Sequence, residues 1–148
     1  MNYEAYLKKC ERIRKENKKL ILDFKKWLAG NNLSKGTIEK HVGNVDFYVN
    51  EFLLYEDAVE AKEGACKIDM FLGYWFIKKA MWSNKASIKE NAVSLKKFYE
   101  FLFEGRKISE EDLLYLKESI KEGMPEWLAT MERYDTPEID DMQEGWRL

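Results

Sequence analysis

The stretch NNLSKGTIEKHVGNVDFYVNEFL, residues 31–53, decides how this chain folds. Its polar start contains Ser34, whose hydroxyl can accept a hydrogen bond from a free backbone N–H in the first turn of a helix. Apolar residues then recur every three or four positions and predict one buried helical face: Ile38, Val42, Val45, Val49 and Phe52. The opposite, polar face is either a surface that contacts DNA or only the solvated side of the helix.

Helical spacing of apolar residues extends along nearly the whole chain, which has two prolines and no long, strictly alternating stretch. We therefore predict an all-α fold. With 148 residues, 45% hydrophobic and 14% aromatic, the chain can form one core and is expected to be a single domain. No apolar run approaches the roughly 20 residues of a membrane span, and no signal peptide is recognisable. We expect a cytoplasmic protein with no membrane contact.

The first half of the chain should contain three helices. The first runs from about Asn2 to Ala29 and ends at Gly30, near which a residue in the left-handed conformation is expected. The second begins after Ser34. An irregular stretch, residues 55–67, follows, and Asp69 can cap the third helix, MFLGYWFIKKAMW. This third segment is apolar on nearly every side, which is typical of a central, buried helix.

The second half should contain three more helices. The fourth begins after a cap at Ser83 or Asn84 and ends at Gly105. The fifth begins after Ser109, where three acidic residues suit the positive end of the helix dipole, and it ends at Gly123. The remaining signals place a short sixth helix between Pro125 and Thr136-Pro137 and leave a loose acidic tail, residues 134–148.

The first helix also carries a heptad seam, in which residues alternate at steps of three and four around a central asparagine. The seam consists of Tyr3, Tyr6, Cys10, Ile13, Asn17, Leu20, Phe24 and Trp27. In one interpretation, only the second half of this helix packs onto the domain, and residues 1–19 project as a basic arm. In the other, the seam mediates self-association.

Charge is distributed unevenly along the chain, although the net charge is only -2. Residues 1–107 contain 21 Lys or Arg against 15 Asp or Glu, a balance of +6, whereas residues 108–148 contain 4 against 12, a balance of -8. The basic part, residues 20–108 with the arm before it, can attract phosphate. The acidic helices, residues 109–133, and the tail after them would weaken that attraction if they folded over it.

The sequence shows no combination of residues that is typical of an enzyme. His41, the one histidine, has no cysteine or second histidine near it, and it lies at the edge of an apolar stripe, where a half-buried packing role is expected. Cys10 and Cys66 lack a CxxC spacing and should be reduced thiols. No glycine-rich phosphate loop or nucleophile elbow is present. We expect no catalytic residue, no metal site and no cofactor.

Two helices offer polar side chains that could contact DNA. Lysines can neutralise phosphates, while Ser, Thr and Asn can hydrogen-bond to phosphates or to base edges in the major groove. The second helix should expose Lys35, Thr37, Lys40 and Asn44, and the fourth should expose Lys85, Ser87, Lys89 and Lys96. A solvated helical surface would also carry such residues.

Two segments resemble the amino-terminal core-binding domain of phage integrases and other tyrosine recombinases. They are FKKWLAGNNLSKGTIEKHVGNVDFYVNEFL and IDMFLGYWFIKKAMWSNKASIKENAVSLKKFYEFLFEGRKIS, within roughly residues 20–108. The similarity lies in an aromatic pair before the loop, Leu33-Ser34 with Thr37-Ile38 at a helix start, and Ser87-Ile88 leading to Leu95 and KKFYEFL before a glycine.

The resemblance implies a SAM-like four-helix orthogonal bundle, here with an extended N-terminal helix and one or two additional C-terminal helices. In this family, the second and fourth helices contact one side of the DNA duplex. The matching positions are Lys35, Thr37, Lys40, His41, Asn44, Ser87, Lys89, Lys96 and Lys97. Recombinases carry a catalytic domain after this region, whereas only 41 residues, acidic and without histidine, follow Lys107. We expect this chain alone not to cleave DNA.

Two functions therefore remain open. The first is a non-catalytic module that binds double-stranded DNA, alone or beside a full-length recombinase. The alternative is a protein-interaction or oligomerisation module, in which the aromatic residues Phe47 and Trp146, the N-terminal seam or the acidic tail bind a partner. A continuous basic face on the second and fourth helices would favour DNA, whereas lysines interspersed with Glu39 and Glu90 would favour protein contacts.

Overall fold

The computed structural model describes residues 2–80 and 83–133, and the backbone of the last helix beyond them. All regular structure in these residues is helical, which confirms the all-α fold class. The main helices are α1 (Tyr3–Gly30), α2 (Lys35–Asp46), α4 (Lys85–Glu104) and α5 (Glu110–Arg147). The helix α3 comprises three consecutive segments, Ile68–Met70, Phe71–Trp75 and Phe76–Lys79. In the described part of the chain, no helix is long and apolar enough to cross a membrane.

The junction between α1 and α2 agrees with the predicted boundaries. The helix α1 ends at Gly30, and Asn32 two residues later has a φ of 62°, in the left-handed region that asparagine tolerates. The Ser34 hydroxyl accepts a hydrogen bond from the backbone N–H of Thr37 at 3.3 Å, which makes Ser34 the N-cap of α2. A π-helical segment, Phe47–Phe52, continues α2, and a 3-10 helix, Ala61–Lys67, lies within the stretch predicted to be irregular.

One face of the helix α3 is buried in the core as predicted, but Met70 and Tyr74 are 60% and 55% exposed, so the helix is not buried on nearly every side. Asp69 does not cap it. The helix begins at Ile68, and the Asp69 carboxylate accepts a hydrogen bond from the indole N–H of Trp127 at 2.8 Å. Its middle segment, Phe71–Trp75, is a π-helix, as is the segment Phe47–Phe52 that follows α2. Asp69 therefore links α3 to α5, a tertiary role that a capping motif read from the sequence does not reveal.

The start of α4 follows the sequence prediction. The Asn84 side chain accepts a hydrogen bond from the backbone N–H of Ser87, and the Ser87 hydroxyl accepts one from the backbone N–H of Asn84, both at 2.8 Å. This reciprocal pair is a capping box, and it fixes Asn84 rather than Ser83 as the N-cap. The helix ends at Gly105, and Arg106 adopts a left-handed φ of 58°.

The fifth and sixth helices of the sequence prediction are one helix, α5. Its start is as predicted, since the Ser109 hydroxyl accepts a hydrogen bond from the backbone N–H of Asp112 at 3.1 Å. However, the helix continues through Gly123 and Pro125, because Trp127 is only 2% exposed and packs closely against Gly123. An interior proline costs about 3 kcal/mol, and burial of a large aromatic side chain offsets a cost of this size.

The helix α5 also continues past Thr136-Pro137, where an end was predicted. The backbone of residues 134–147 is therefore helical and is not the predicted loose tail, whereas the predicted exposure of Trp146 concerns a side chain outside the described part of the chain.

The N-terminal half of α1 packs against the segment that follows α2 and does not project as an arm. Cys10 and Ile13 are buried against Leu54 and Ala58 in a small apolar cluster. The hydroxyl of Tyr6 donates a hydrogen bond to the backbone carbonyl of Leu54. The inner residues of the heptad seam are thus covered by the chain itself, which makes them unavailable for the predicted self-association.

The seam asparagine, Asn17, is also used within the chain. Its side-chain amide donates to the Asn50 side-chain oxygen at 2.8 Å and to the Val49 carbonyl at 3.3 Å. Further along α1, Phe24 packs edge-on against Phe98 of α4, with ring centroids 5.3 Å apart. The helix α1 therefore contacts the rest of the bundle along its length.

Candidate nucleic-acid interface

The helices α2 and α4, which carry the predicted DNA contacts, pack against each other. Ile38 and Val45 of α2 and Ile88 and Leu95 of α4 are buried in the main core, which accounts for the apolar stripe in the opening stretch. Their burial places the polar residues next to these stripes at the rim of the helix–helix contact.

Ser94 is the centre of a polar network between these helices. Its Oγ lies 2.6 Å from Nδ1 of His41 and accepts a hydrogen bond from the side-chain amide of Asn44 at 3.0 Å. Ser94 is fully buried, and His41 is only 6% exposed. His41 is therefore not presented to solvent, contrary to the expectation for a DNA contact, and Asn44 is half-buried with its amide bonded across the helix contact.

The surroundings of His41 favour its neutral form. Burial is the main cause that lowers the pKa of His41 below its ordinary value of 6.5; the positive charge of Lys97 adds to this effect, and Glu90 opposes it. A neutral imidazole can accept a hydrogen bond at Nδ1. Since Ser94 accepts from Asn44, its hydroxyl hydrogen is free to donate to His41, and this assignment accounts for both contacts of the Ser94 hydroxyl.

Two further candidates, Thr37 and Ser87, belong to helix caps. The Ser34 hydroxyl donates to the Thr37 hydroxyl oxygen at 2.9 Å. The Ser87 hydroxyl donates to the Asn84 carbonyl at 2.9 Å and also accepts from the Asn84 backbone N–H. All four candidates that are not lysines thus form hydrogen bonds within the chain. These bonds compete with hydrogen bonds to base edges.

The exposed lysines are partly paired with carboxylates. Lys40 Nζ lies 3.4 Å from a carboxylate oxygen of Glu90, and Lys85 Nζ lies 3.2 Å from one of Glu132 on α5. In a third pair, Lys25 Nζ of α1 lies 3.0 Å from a carboxylate oxygen of Glu39. Exposed pairs contribute only about 0–1 kcal/mol to stability, but each adds a negative charge beside a candidate phosphate contact.

Four candidates remain outside these pairs. Within the described residues, no ion pair involves Lys35 on α2 or the α4 residues Lys89, Lys96 and Lys97. The side chain of Lys97 is partly buried close to His41, whereas the other three are exposed. Of the ten predicted contact residues, these four lysines thus have charges that no described residue pairs.

Sequence reasoning missed Ser94, the residue that holds the network together. Its signal is a set of small polar residues, Ser87, Asn91 and Ser94, beside the apolar stripe of α4. Asn91 is also buried, and its amide donates to the Ser87 carbonyl at 2.8 Å. Polar side chains at such positions indicate hydrogen bonds to a neighbouring helix or to the backbone.

Among the described residues, no cluster of His, Cys, Asp and Glu is arranged to hold a metal ion. Comparisons with models of known protein families, with curated proteins and with solved structures found no match to this chain. The resemblance to recombinase core-binding domains therefore rests on the sequence features described above, and the SAM-like arrangement remains a prediction.

Proposed function

We propose that this chain is a non-catalytic module that binds duplex DNA through the lysines of α2 and α4. The proposal is supported by one observation above all: among the described residues no ion pair involves Lys35, Lys89, Lys96 or Lys97, and the Ser94 network joins the two helices that carry them. Because these lysines are carried by joined helices, their charges are held in a fixed relation to one another. Such an arrangement suits a row of phosphates better than single lysines on separate loops.

The expected mode of binding is contact with phosphates and not with bases. The side chains that could read base edges are either bonded within the chain or part of caps, as Asn44, Thr37 and Ser87 are. Lysine–phosphate contacts carry no direct sequence information. We therefore expect the dissociation constant to vary little among duplexes of the same length, and any choice of site to depend on a second protein, such as a full-length recombinase.

Salt titration tests this mode quantitatively. Each neutralised phosphate contributes about -0.9 to the slope of log K against log salt concentration, so four lysines predict a slope between about -3 and -4. Binding should weaken roughly 100-fold between about 50 and about 200 mM salt. A slope near zero, or no binding at the lower concentration, would contradict the proposal.

A protein-interaction module is the second candidate, and one observation favours it. Glu39 and Glu90 lie within the basic face and pair with Lys25 and Lys40, so the face is a mixture of both charges. Mixed charges of this kind suit a protein surface with its own acidic and basic groups. The salt titration separates the candidates, because only the first requires measurable affinity for a generic duplex.

A further inference from the structure

A pocket between α1, the 3-10 helix and the end of α4 has no role in the proposed function. It holds about 350 Å³, within the roughly 300–1,000 Å³ that is usual for small-molecule pockets. Its lining combines an apolar part, Leu20, Ala61 and Leu102, with lysines and carboxylates. None of the four lysines proposed to contact DNA lines the pocket, so an inference about it does not depend on DNA binding.

Asn17 supplies the pocket with a hydrogen-bond acceptor that has no partner. The Asp46 carboxylate can only accept, so the Asn50 amide donates to it at 2.7 Å, and the Asn50 side-chain oxygen accepts from the Asn17 amide at 2.8 Å. This chain of bonds fixes which side of the Asn17 amide group carries the oxygen. That oxygen accepts no hydrogen bond from any described residue, although Asn17 lines the pocket and is only 1% exposed. A buried acceptor of this kind indicates a bound donor.

Lys107 supplies the pocket with a positive charge. No described residue forms an ion pair with it. The backbone N–H of Lys107 donates to the Leu102 carbonyl at 2.9 Å, and that of Arg106, with its left-handed φ, donates to the Phe103 carbonyl at 3.0 Å. These two bonds form a Schellman motif, which holds the Lys107 backbone beside the end of α4. A bound anion therefore has a cation for which no described carboxylate competes.

The other charged groups of the lining are already in ion pairs. The distances between nitrogen and oxygen in these pairs run from 2.8 to 3.7 Å, and Arg12 joins two of the carboxylates. A carboxylate in one ion pair still has lone pairs that can accept from a further donor. The unpaired positive charge and the available acceptors together suit a ligand that carries both an anionic group and a cationic donor. The paired groups are Glu16, Lys19, Asp23, Glu60 and Lys62.

We propose that this pocket binds a free aliphatic amino acid such as L-leucine. Its carboxylate pairs with Lys107, its ammonium donates to the Asn17 oxygen, and its side chain contacts Leu20 and Leu102. An ammonium has three donors, which suits a site where an amide oxygen lies among carboxylates. A bare metal ion leaves Lys107 and the apolar lining unused, and no described His, Cys, Asp or Glu residues are arranged to hold one. A single water molecule needs only about 30 Å³, far less than the pocket offers.

Isothermal titration calorimetry of the full chain with L-leucine tests the proposal. A ligand of this size predicts a dissociation constant between about 10 µM and about 1 mM. Lys107→Gln removes the cation that receives the carboxylate and should raise that constant at least about tenfold. Lys107 is exposed, so thermal unfolding of this variant should stay close to that of the original chain. Lys121→Gln, which neutralises another exposed lysine outside the pocket, is the matched control and should change the constant less than about twofold.

Two analogues of leucine test its charged groups without any change in the protein, which matters because Asn17 also bonds to Asn50. Isocaproate lacks the ammonium, and L-leucine methyl ester lacks the carboxylate charge. Each should bind at least about tenfold more weakly than L-leucine. Lys107→Gln should weaken isocaproate further and leave the ester unaffected, because only isocaproate keeps the carboxylate.

Three results would overturn the proposal. The first is no binding of L-leucine at about 10 mM, well above the expected dissociation constant. The second is an unchanged constant for L-leucine in Lys107→Gln, which would mean that this lysine receives no carboxylate. The third is equal affinity for L-leucine and isocaproate, which would mean that the pocket receives no ammonium.

Discussion

Ser94 on α4 lies 2.6 Å from His41 on α2, and this contact joins the two helices that carry the candidate DNA-binding lysines. Asn44 completes the network by donating to the same serine oxygen. Because the serine is fully buried, water cannot replace it as a hydrogen-bond partner without a rearrangement. The polar half of the opening stretch is thus used in part for helix packing.

Removal of the Ser94 hydroxyl should destabilise the fold. Ser94→Ala leaves His41 without its Nδ1 partner, and loss of a buried partner costs about 1–3 kcal/mol. Chemical denaturation measures the free energy of unfolding. Ser119→Ala is the control, since the hydroxyl of this half-buried serine forms no hydrogen bond among the described residues, and its effect should stay within about 0.5 kcal/mol. Equal effects of the two substitutions would contradict the network.

Stability should depend on pH through His41. Its pKa is lower in the folded chain than in the unfolded chain, so the unfolded state binds more protons as the pH falls through the ordinary value of 6.5. The contribution of the neutral histidine to stability is present above pH 6.5, and it is lost as the pH falls toward the pKa of His41 in the folded chain. Unfolding measured from about pH 7.5 to about pH 5.5 should show a decline that His41→Gln reduces. An identical decline in both proteins would refute this assignment.

Replacement of glycine by alanine should have opposite effects on stability at two sites, because only one of the two glycines contacts Trp127. A Cβ at residue 73 would lie 2.9 Å from the Trp127 ring, so Gly73→Ala should destabilise by about 1–3 kcal/mol. A Cβ at residue 43, within α2, would meet nothing within 4 Å, and Gly43→Ala should stabilise by about 0.5–1 kcal/mol. Melting temperatures measure both effects. A neutral Gly73→Ala variant would mean that α5 does not pack on α3 as described.

Release of a paired lysine should strengthen DNA binding. Glu90→Gln removes the carboxylate that lies 3.4 Å from Lys40 Nζ, which leaves Lys40 able to contact a phosphate. The salt-dependence slope should then become steeper by about one unit. Glu118→Gln on α5 is the control, because it makes the same charge change away from α2 and α4. An unchanged slope for Glu90→Gln would mean that this part of α2 does not face DNA.

Local signals predicted much of the fold. The caps at Ser34, Asn84 and Ser109 were recognisable because capping depends on residues within one turn of each other. The continuity of α5 through Pro125 was not recognisable from local signals, because it depends on the distant contact between Trp127 and Asp69. Tertiary contacts of this kind can override local helix-breaking signals.

The candidate site was predictable to a smaller extent. Helical periodicity identified the exposed positions of Lys35, Lys89 and Lys96, but it could not show which polar groups hydrogen-bond across the helix contact. His41 stands next to an apolar stripe, where a rotation of a few tens of degrees decides between burial and exposure. Its bond to Ser94, 53 residues away, leaves no local trace in the sequence.

Equilibrium titration of a labelled duplex of about 20 base pairs in about 50 mM salt tests DNA binding most directly. The variant Lys35→Glu/Lys89→Glu/Lys96→Glu is compared with Lys18→Glu/Lys62→Glu/Lys121→Glu, which makes the same change of net charge at exposed positions outside α2 and α4. We predict that the original chain binds, that the first variant loses at least about 100-fold in affinity, and that the control loses far less. Absence of binding by the original chain, or equal losses in the two variants, would contradict DNA binding through α2 and α4.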